Sequence, residues 1–157
     1  AVVGGLGSGL GAVVGGLAVG IIEAMSAGYI SSAYKDATPF LLILLVLVMK
    51  GAAWWVYPLL LLGPDIGMVG YLVGTRTGAF TYNLTHHKGI ALLLMLIGLV
   101  VEMANMLANV QSGYFLAGLI LYGHSALDRM LGFGLKFGDH FQHTHLGWIG
   151  GSRKTDN

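Results

Sequence analysis

The sequence predicts an all-α protein, a polytopic transmembrane helical bundle of about five spans with a glycine-rich first helix. The chain has 157 residues, of which 55% are hydrophobic and only 10% are charged. An average soluble domain carries about 25% charged residues, and one of this size exposes most of its residues to water. The apolar residues also gather into segments near the ~20 residues that a span requires, so hydrocarbon is the expected surrounding.

The first apolar segment, residues 1–22, is unusually rich in glycine. In water this content would disfavour a helix, whereas in lipid small residues let two helices approach closely. Several of these glycines lie four residues apart, which predicts packing against another membrane chain or against a second copy. The expected packing residues are Gly5, Gly7, Gly9, Gly11 and Gly15.

Four further apolar segments complete the predicted bundle. They run over Phe40–Met49, Trp54–Val73, Phe80–Val101 and from Tyr114 to about Leu131. The first of these is short for a span, so it must tilt, thin the bilayer or extend backward through Ala37. The next is interrupted by Pro58 and by Gly63-Pro64-Asp65.

The distribution of basic residues predicts the orientation. Five crossings put loops 24–37 and 74–79 on the same side as the tail from Gly132, and that side holds most of the lysines and arginines. The positive-inside rule then places the tail in the cytoplasm and the N-terminus outside. We expect a multi-pass protein of the bacterial inner membrane, although a hairpin at Lys50 that does not cross would invert half of this topology.

Charge and cysteine content exclude several classes of function. Eight basic and seven acidic residues give a net charge of +1. A nucleic-acid partner is not expected, because it would require a clustered basic stripe. The chain has no cysteine, which excludes disulfides, iron–sulfur clusters and thiolate chemistry.

A small set of ionisable residues falls inside the predicted spans, where burying a charge is costly. Asp65 lies in the third segment, His86 at the start of the fourth, and His124 and Asp128 in the fifth, four residues apart and hence on one helical face. Together they could bind a divalent, zinc-like metal ion and leave a position open for water. Such a centre predicts metal-assisted hydrolysis.

The same residues also have a structural interpretation. Asp65 would cap a helix that restarts after the glycine-proline break, and His124 would hydrogen-bond to a neighbouring helix. Asp128-Arg129 would pair with Arg76 or Glu102, through the carboxylate or the guanidinium respectively. Under this interpretation no metal ion is involved.

The tail contains a second group of histidines, His140, His143 and His145. This group could bind a metal ion by itself. Phe141 and Trp148 favour the alternative of an interfacial tail whose imidazoles lie among lipid headgroups.

The first 50 residues resemble the C-terminal end of a branched-chain amino-acid ABC transporter permease. The matching text includes Gly4–Ser8, Gly11–Gly16 and Tyr29–Asp36 (YISSAYKD). The resemblance implies a fragment or component of an amino-acid transport permease, and it covers a third of the chain.

Residues 51–150 resemble a family of small, uncharacterised bacterial membrane proteins known as a domain of unknown function. The matching text includes Trp54-Trp55, Gly63–Met68, His124–Arg129 (HSALDR), Gly132–Lys136 and Thr144–Gly147. The resemblance implies four helices and no known activity. The expected organisation is therefore a permease-like segment of residues 1–50, a family domain of residues 51–150 and a polar tail of residues 151–157, joined naturally, by engineering or by gene misassembly.

These observations leave three functions open, and whether the chain is an enzyme is among the open points. The sequence favours a non-catalytic accessory or assembly subunit that packs through its first helix. The alternatives are an intramembrane metal-dependent hydrolase and a component of an amino-acid permease.

Overall fold

The computed structural model describes residues 35–104 and 113–150, together with 17–18, 20–22, 24–25 and 28. The chain divides into two compact units, Ala1–Ala53 and Trp54–Asn157. The predicted all-α class is confirmed, since helices make up nearly all of the regular structure. The packing glycines from Gly5 to Gly15 and the polar tail 151–157 lie outside the described residues.

Five α-helices and one 3-10 helix form the main elements of the described residues. They are α1 (Ala37–Met49), α2 (Val56–Leu62), the 3-10 helix (Gly63–Leu72), α3 (Thr75–His86), α4 (Lys88–Ala104) and α5 (Gly113–Met130). An antiparallel hairpin of two short strands, β1 (His143–Thr144) and β2 (Gly147–Trp148), follows α5. The sequence did not predict this hairpin, because two-residue strands leave no alternating pattern.

Helix α1 in the first unit begins at Ala37, so the backward extension, one of the three predicted ways to lengthen the short second segment, is present. It ends at Met49, and Gly51, two residues later, has a φ of +64°. The amide of Gly51 donates to the carbonyl of Val48 at 3.0 Å, and the amide of Ala52 donates to that of Leu47 at 2.9 Å. This pair of bonds is the Schellman closure, in which a left-handed glycine stops the helix.

The third apolar segment, Trp54–Val73, is interrupted at Gly63-Pro64, one of the two positions predicted, whereas Pro58 lies inside α2. Proline has no amide hydrogen and disrupts an α-helix that contains it, and at Gly63-Pro64 the chain changes from α2 to a 3-10 helix. A Cβ on Gly67 would lie 2.7 Å from the carbonyl oxygen of Thr81. The 3-10 helix therefore packs directly on the backbone of α3, and the Thr81 hydroxyl donates to the Gly67 carbonyl at 2.6 Å.

The fourth apolar segment, Phe80–Val101, is also divided. His87 adopts an extended conformation, with φ −84° and ψ 113°, and separates α3 from α4. The two helices meet at a bend of 44°, and together they are long and apolar enough to cross a membrane. Within the described ranges, no unbroken helix meets that requirement by itself, and Ala37–Met49 and Val56–Leu72 are apolar but shorter.

Helices α4 and α5 pack through glycine. A Cβ on Gly98 would lie 2.4 Å from the amide nitrogen of Phe115, and one on Gly118 would lie 2.7 Å from the carbonyl oxygen of Ala91. The two backbones therefore approach as closely as small residues allow.

A second left-handed glycine ends α5 and turns the tail back toward α3. Gly132 has a φ of +86°, and the amides of Gly132 and Phe133 donate to the carbonyls of Arg129 and Asp128. The returning chain is then held by Asn83 of α3. The Asn83 side chain donates to the Lys136 carbonyl at 2.8 Å and accepts from its amide at 2.7 Å.

The close approach of α4 and α5 can be tested with Gly118→Ala. The added methyl group would contact the backbone of Ala91 and Met95, so we expect a loss of about 1–3 kcal/mol in the free energy of unfolding. Gly113→Ala is the matched control, because nothing lies within 4 Å of its Cβ position. Denaturation of the detergent-purified chain measures both, and equal stability of the two variants would contradict this packing.

Candidate metal centre

Four titratable side chains meet where the 3-10 helix, α3 and α5 come together. Asp65 lies in the first turn of the 3-10 helix, and His86 is the last residue of α3. His124 and Asp128 lie one turn apart on α5. Each offers one ligand atom, and these four atoms all lie within 4.8 Å of one another. The structure thus brings together every residue of the predicted ligand set.

The orientation of His124 is fixed by a backbone carbonyl. Its Nδ1 lies 3.0 Å from the carbonyl oxygen of Leu60 in α2. In a continuous helix that carbonyl would accept from the amide four residues later, but this position is Pro64, which has no amide hydrogen. A carbonyl oxygen can only accept, so Nδ1 of His124 carries the proton. The neutral ring then has a lone pair on Nε2.

His86 is fixed in the same way. Its Nδ1 lies 2.8 Å from the carbonyl oxygen of Tyr82, one turn earlier in α3. The Thr85 hydroxyl donates to the same carbonyl at 3.0 Å and lies 2.9 Å from the ring nitrogen. Nδ1 of His86 is therefore the donor, and Nε2 is again the nitrogen with the lone pair. This is how a second hydrogen bond fixes the tautomer of a metal-binding histidine.

The distances between the four groups are those of ligands around one small cation. The two Nε2 atoms lie 3.1 Å apart. Both Nε2 atoms lie 3.4 Å from an oxygen of the Asp65 carboxylate. From the oxygens of the Asp128 carboxylate, Nε2 of His86 lies at 3.3 Å and Nε2 of His124 at 3.7 Å. Ligands at ~2.0–2.2 Å from a tetrahedral ion lie roughly 3.3–3.6 Å from one another. The histidine–histidine and histidine–carboxylate distances are therefore close to zinc-like spacing, and all four ligand atoms lie within 4.8 Å of one another.

Charge distinguishes this arrangement from a simple pair of salt bridges. Two protonated imidazoles would also balance the two carboxylates. Each would then point an N–H at the other across the 3.1 Å between the Nε2 atoms of His86 and His124. A single proton shared between the two Nε2 atoms would remove that repulsion but would balance only one of the two carboxylates. One divalent cation balances both and places a positive centre between four electron-pair donors.

Buried neighbours support the ligands from behind. The Tyr82 hydroxyl donates to Oδ2 of Asp128 at 2.6 Å, and its ring stacks on that of His86 with centroids 3.7 Å apart. The Ser125 hydroxyl donates to the His86 carbonyl at 2.7 Å. Outer partners of this kind orient metal ligands and increase their basicity.

The cluster is closed on its histidine side and open on its carboxylate side. The His86 and His124 side chains are 3% and 2% exposed, whereas Asp65 is 35% and Asp128 15% exposed. The two carboxylates therefore lie on the accessible side of the cluster.

Of the structural roles predicted for these residues, the hydrogen bond from His124 to a neighbouring helix is present, with the Leu60 carbonyl of α2 as acceptor. The role predicted for Asp65 is not, since the residue at the N-cap of the 3-10 helix is Leu62 and no side chain caps that end. Asp65 lies within the first turn, with its carboxylate near the histidines. Asp128 contacts Tyr82 and the two histidines, where Arg76 had been the expected partner.

The remaining histidines stay apart from this cluster. His87 and His140 accept nearby backbone amides on Nδ1, and His145 accepts the Leu135 amide. His143 lies 2.7 Å from the Asp139 carboxylate and stacks on Trp148. Within the described ranges, the tail histidines do not form the separate ligand group that the sequence left open.

Two residues of the site were not predicted. Tyr82 was not among the predicted site residues, although its spacing of four residues before His86 places both on one face of α3. His124 and Asp128 have the same four-residue spacing, so this pattern could have identified Tyr82 as a site residue from the sequence. Lys136 is the other residue that was not predicted. It lies near the cluster only because the tail folds back, and a local sequence pattern does not indicate such a fold.

The fold and the site define a helical protein with a buried centre of two histidines and two carboxylates. Its family follows from sequence comparison: residues 34–149 match the family described as Domain of unknown function (DUF4260), and the chain belongs to that family. The match confirms the predicted resemblance and begins at residue 34, so it includes α1. All four candidate ligands lie within it.

The predicted resemblance to a permease is also confirmed, over a short segment. A stretch of 49 residues is 53% identical to the high-affinity branched-chain amino acid transport system permease protein LivH of Escherichia coli K12. The corresponding protein of Salmonella typhimurium is 51% identical over the same length. The chain spans only 16% of the length of these curated relatives, and the match covers 31% of this chain. No solved structure matches the chain significantly.

The supporting role of Tyr82 can be tested with Tyr82→Phe. This change keeps the ring that stacks on His86 and removes the hydrogen bond to Asp128. Loss of an outer-shell partner typically lowers metal affinity about 10–100-fold, and competition with a chelator measures it. Tyr114→Phe is the control, because that side chain is 53% exposed at the start of α5. Equal metal affinity of the two variants would contradict the role assigned to Tyr82.

The tail contact between Asp139 and His143 should depend on pH. The hydrogen bond from His143 holds the pKa of the Asp139 carboxyl below its usual value. The ordinary pKa of an aspartate carboxyl is ~3.9. Because the pKa of Asp139 is lower in the folded state, the contact stabilises the hairpin fully above pH ~3.9, and this stabilisation is lost as pH falls through the folded-state pKa. The protection of the β1 and β2 amides from exchange, relative to their intrinsic rates, should therefore fall below about pH 4 in the wild type. Asp139→Asn should abolish this pH dependence of the protection, and protection that does not change with pH in the wild type would refute the contact.

Proposed function

We propose that this chain is a multi-pass protein of the bacterial inner membrane that binds a divalent metal ion and uses it for hydrolysis. The ligands are Asp65, His86, His124 and Asp128. The observation that supports this most strongly is the position of the two Nε2 atoms, 3.1 Å apart, each with its Nδ1 committed to a carbonyl. Two lone pairs and two carboxylates directed at one point favour a cation there.

The membrane location is supported by the surface of the second unit. Leu72 is 87% exposed, Trp54 and Val73 are each 80% exposed, and Ile66 is 72% exposed. Clusters of large apolar residues on a protein surface mark contact with a membrane or with another protein. The bent pair α3 and α4 has the length and composition of a span. The basic residues favour a cytoplasmic tail.

Hydrolysis is supported by the open side of the cluster. A bound zinc-like ion would activate water and polarise an oxygen of the substrate. The chain's own residues would orient the ion and admit the substrate. Tyr82 holds one oxygen of Asp128, the histidines close the far side, and the partly exposed carboxylates of Asp65 and Asp128 face the open side.

A non-catalytic accessory subunit is the second candidate, and one observation favours it. Structural zinc sites have four protein ligands, whereas catalytic sites keep one position for water, and this cluster offers four. Cobalt substitution distinguishes the two candidates. Added azide should change the visible spectrum of an open centre and leave that of a closed one unaltered. A transport role has the support of one 49-residue segment only.

Metal content tests the proposed function directly. The full chain, purified in detergent and dialysed against zinc, should retain about one ion per chain. His86→Asn and His124→Asn should each lower the affinity by at least about 100-fold, because each removes a ligand and leaves buried carboxylates without compensation. His143→Asn is the control, since it removes an imidazole from the tail. The metal centre would be refuted if the wild type bound no zinc, or if only the control variant His143→Asn lost its zinc.

A further inference from the structure

Three of the four candidate ligands are held by groups outside the cluster. Nδ1 of His86 and Nδ1 of His124 each donate to a backbone carbonyl. Oδ2 of Asp128 accepts the Tyr82 hydroxyl at 2.6 Å. Loss of one such outer partner typically lowers metal affinity about 10–100-fold. These three side chains are therefore oriented by contacts that do not depend on a bound ion.

Asp65 is held differently. Its carboxylate lies 3.4 Å from Nε2 of His86 and 3.4 Å from Nε2 of His124. Within residues 35–104 and 113–150, no hydrogen bond or ion pair from outside the cluster accompanies these two contacts. The Asp65 side chain is 35% exposed, compared with 15% for Asp128. Of the four candidate ligands, Asp65 is thus the one with the most access to water and without an outer partner.

The backbone that carries Asp65 is fixed, so a movement of this residue is confined to its side chain. The 3-10 helix lies against α3 at Gly67 and at Gly70. A Cβ on Gly67 would lie 2.7 Å from the Thr81 carbonyl oxygen, and one on Gly70 would lie 3.0 Å from that of Thr77. Rotation about the side-chain bonds of Asp65 moves the carboxylate toward solvent without disturbing these contacts.

Hydration also favours withdrawal of Asp65 over withdrawal of Asp128. A carboxylate that leaves the cluster on its exposed side regains hydrogen bonds with water. Withdrawal of Asp128 would instead break the charge-assisted hydrogen bond from Tyr82. The buried tyrosine hydroxyl would then lack an acceptor, which costs additional free energy. The free energy needed to release a ligand is therefore lowest at Asp65.

We propose that Asp65 is an exchangeable ligand, whose carboxylate withdraws from the metal ion so that one water molecule takes its place. This inference rests on the proposed function. His86, His124 and Asp128 are then the three permanent ligands, and three is the number that catalytic zinc sites have beside their water. The water takes the volume that the carboxylate leaves, so the exchange requires no separate cavity. The position of the Asp65 side chain thereby controls whether the centre can perform hydrolysis.

Azide binding to the cobalt-loaded full chain in detergent tests the inference, because azide binds where the water would. Azide must displace Asp65 in the wild type, whereas Asp65→Ala leaves that position open. The apparent affinity of the wild type is reduced by the fraction of centres in which Asp65 is withdrawn. We expect azide to convert the visible spectrum of Asp65→Ala at a concentration at least about tenfold lower. Asp139→Ala is the control and should match the wild type, since Asp139 is 56% exposed in the tail.

Zinc affinity, measured by competition with a chelator, provides a second comparison. Asp65→Asn and Asp128→Asn each replace a carboxylate by an amide of the same shape, so that both variants keep the packing of the site. Asp128→Asn should lower zinc affinity at least about tenfold more than Asp65→Asn, because it also weakens the outer contact with Tyr82.

The two measurements separate this inference from the metal centre on which it rests. Normal zinc binding together with equal azide affinity in the wild type and Asp65→Ala would overturn the exchange and leave the metal centre standing. A loss of zinc in Asp65→Asn that equals or exceeds the loss in Asp128→Asn would do the same. A wild-type chain that binds neither zinc nor cobalt would overturn both proposals.

Discussion

Two hydrogen bonds from imidazole to backbone carbonyl determine how this protein can use its buried residues. His124 donates to the carbonyl of Leu60 and His86 to that of Tyr82. Because a carbonyl cannot donate, each bond assigns the ring proton to Nδ1 and leaves the other nitrogen as an electron-pair donor. Had either ring been reversed, the cluster would be a hydrogen-bonded pair of histidines between two carboxylates, with no reason to prefer a cation.

The backbone features that create these bonds are breaks in helices. Pro64 leaves the carbonyl of Leu60 without its usual amide partner, and His124 of α5 supplies the donor. His87 ends α3, so that His86 lies at a helix terminus. Gly132 ends α5 and returns the tail to α3, where Asn83 holds Lys136. The interruptions that shorten the apolar helices thus coincide with the elements that assemble the site.

This coincidence explains what the sequence could and could not predict. The helical class followed from composition, and the four clustered residues followed from the rarity of ionisable groups in apolar segments. The break between α3 and α4 was not predicted, although the polar run Thr85-His86-His87-Lys88-Gly89 inside the apolar segment coincides with it. The partners of Asp65 and Lys136 were also beyond prediction, because they depend on contacts between elements distant in the chain. The carbonyl that fixes His124 comes from 64 residues earlier.

The tautomeric state of the two buried histidines is the most direct test of the account, and nitrogen-15 NMR of the histidine-labelled, zinc-loaded chain measures it. The account predicts that His86 and His124, assigned from single variants, both carry a proton on Nδ1 and none on Nε2. It also predicts that the Nε2 resonances shift when zinc is added. An unprotonated Nδ1 on either ring, or resonances that do not respond to zinc, would contradict it.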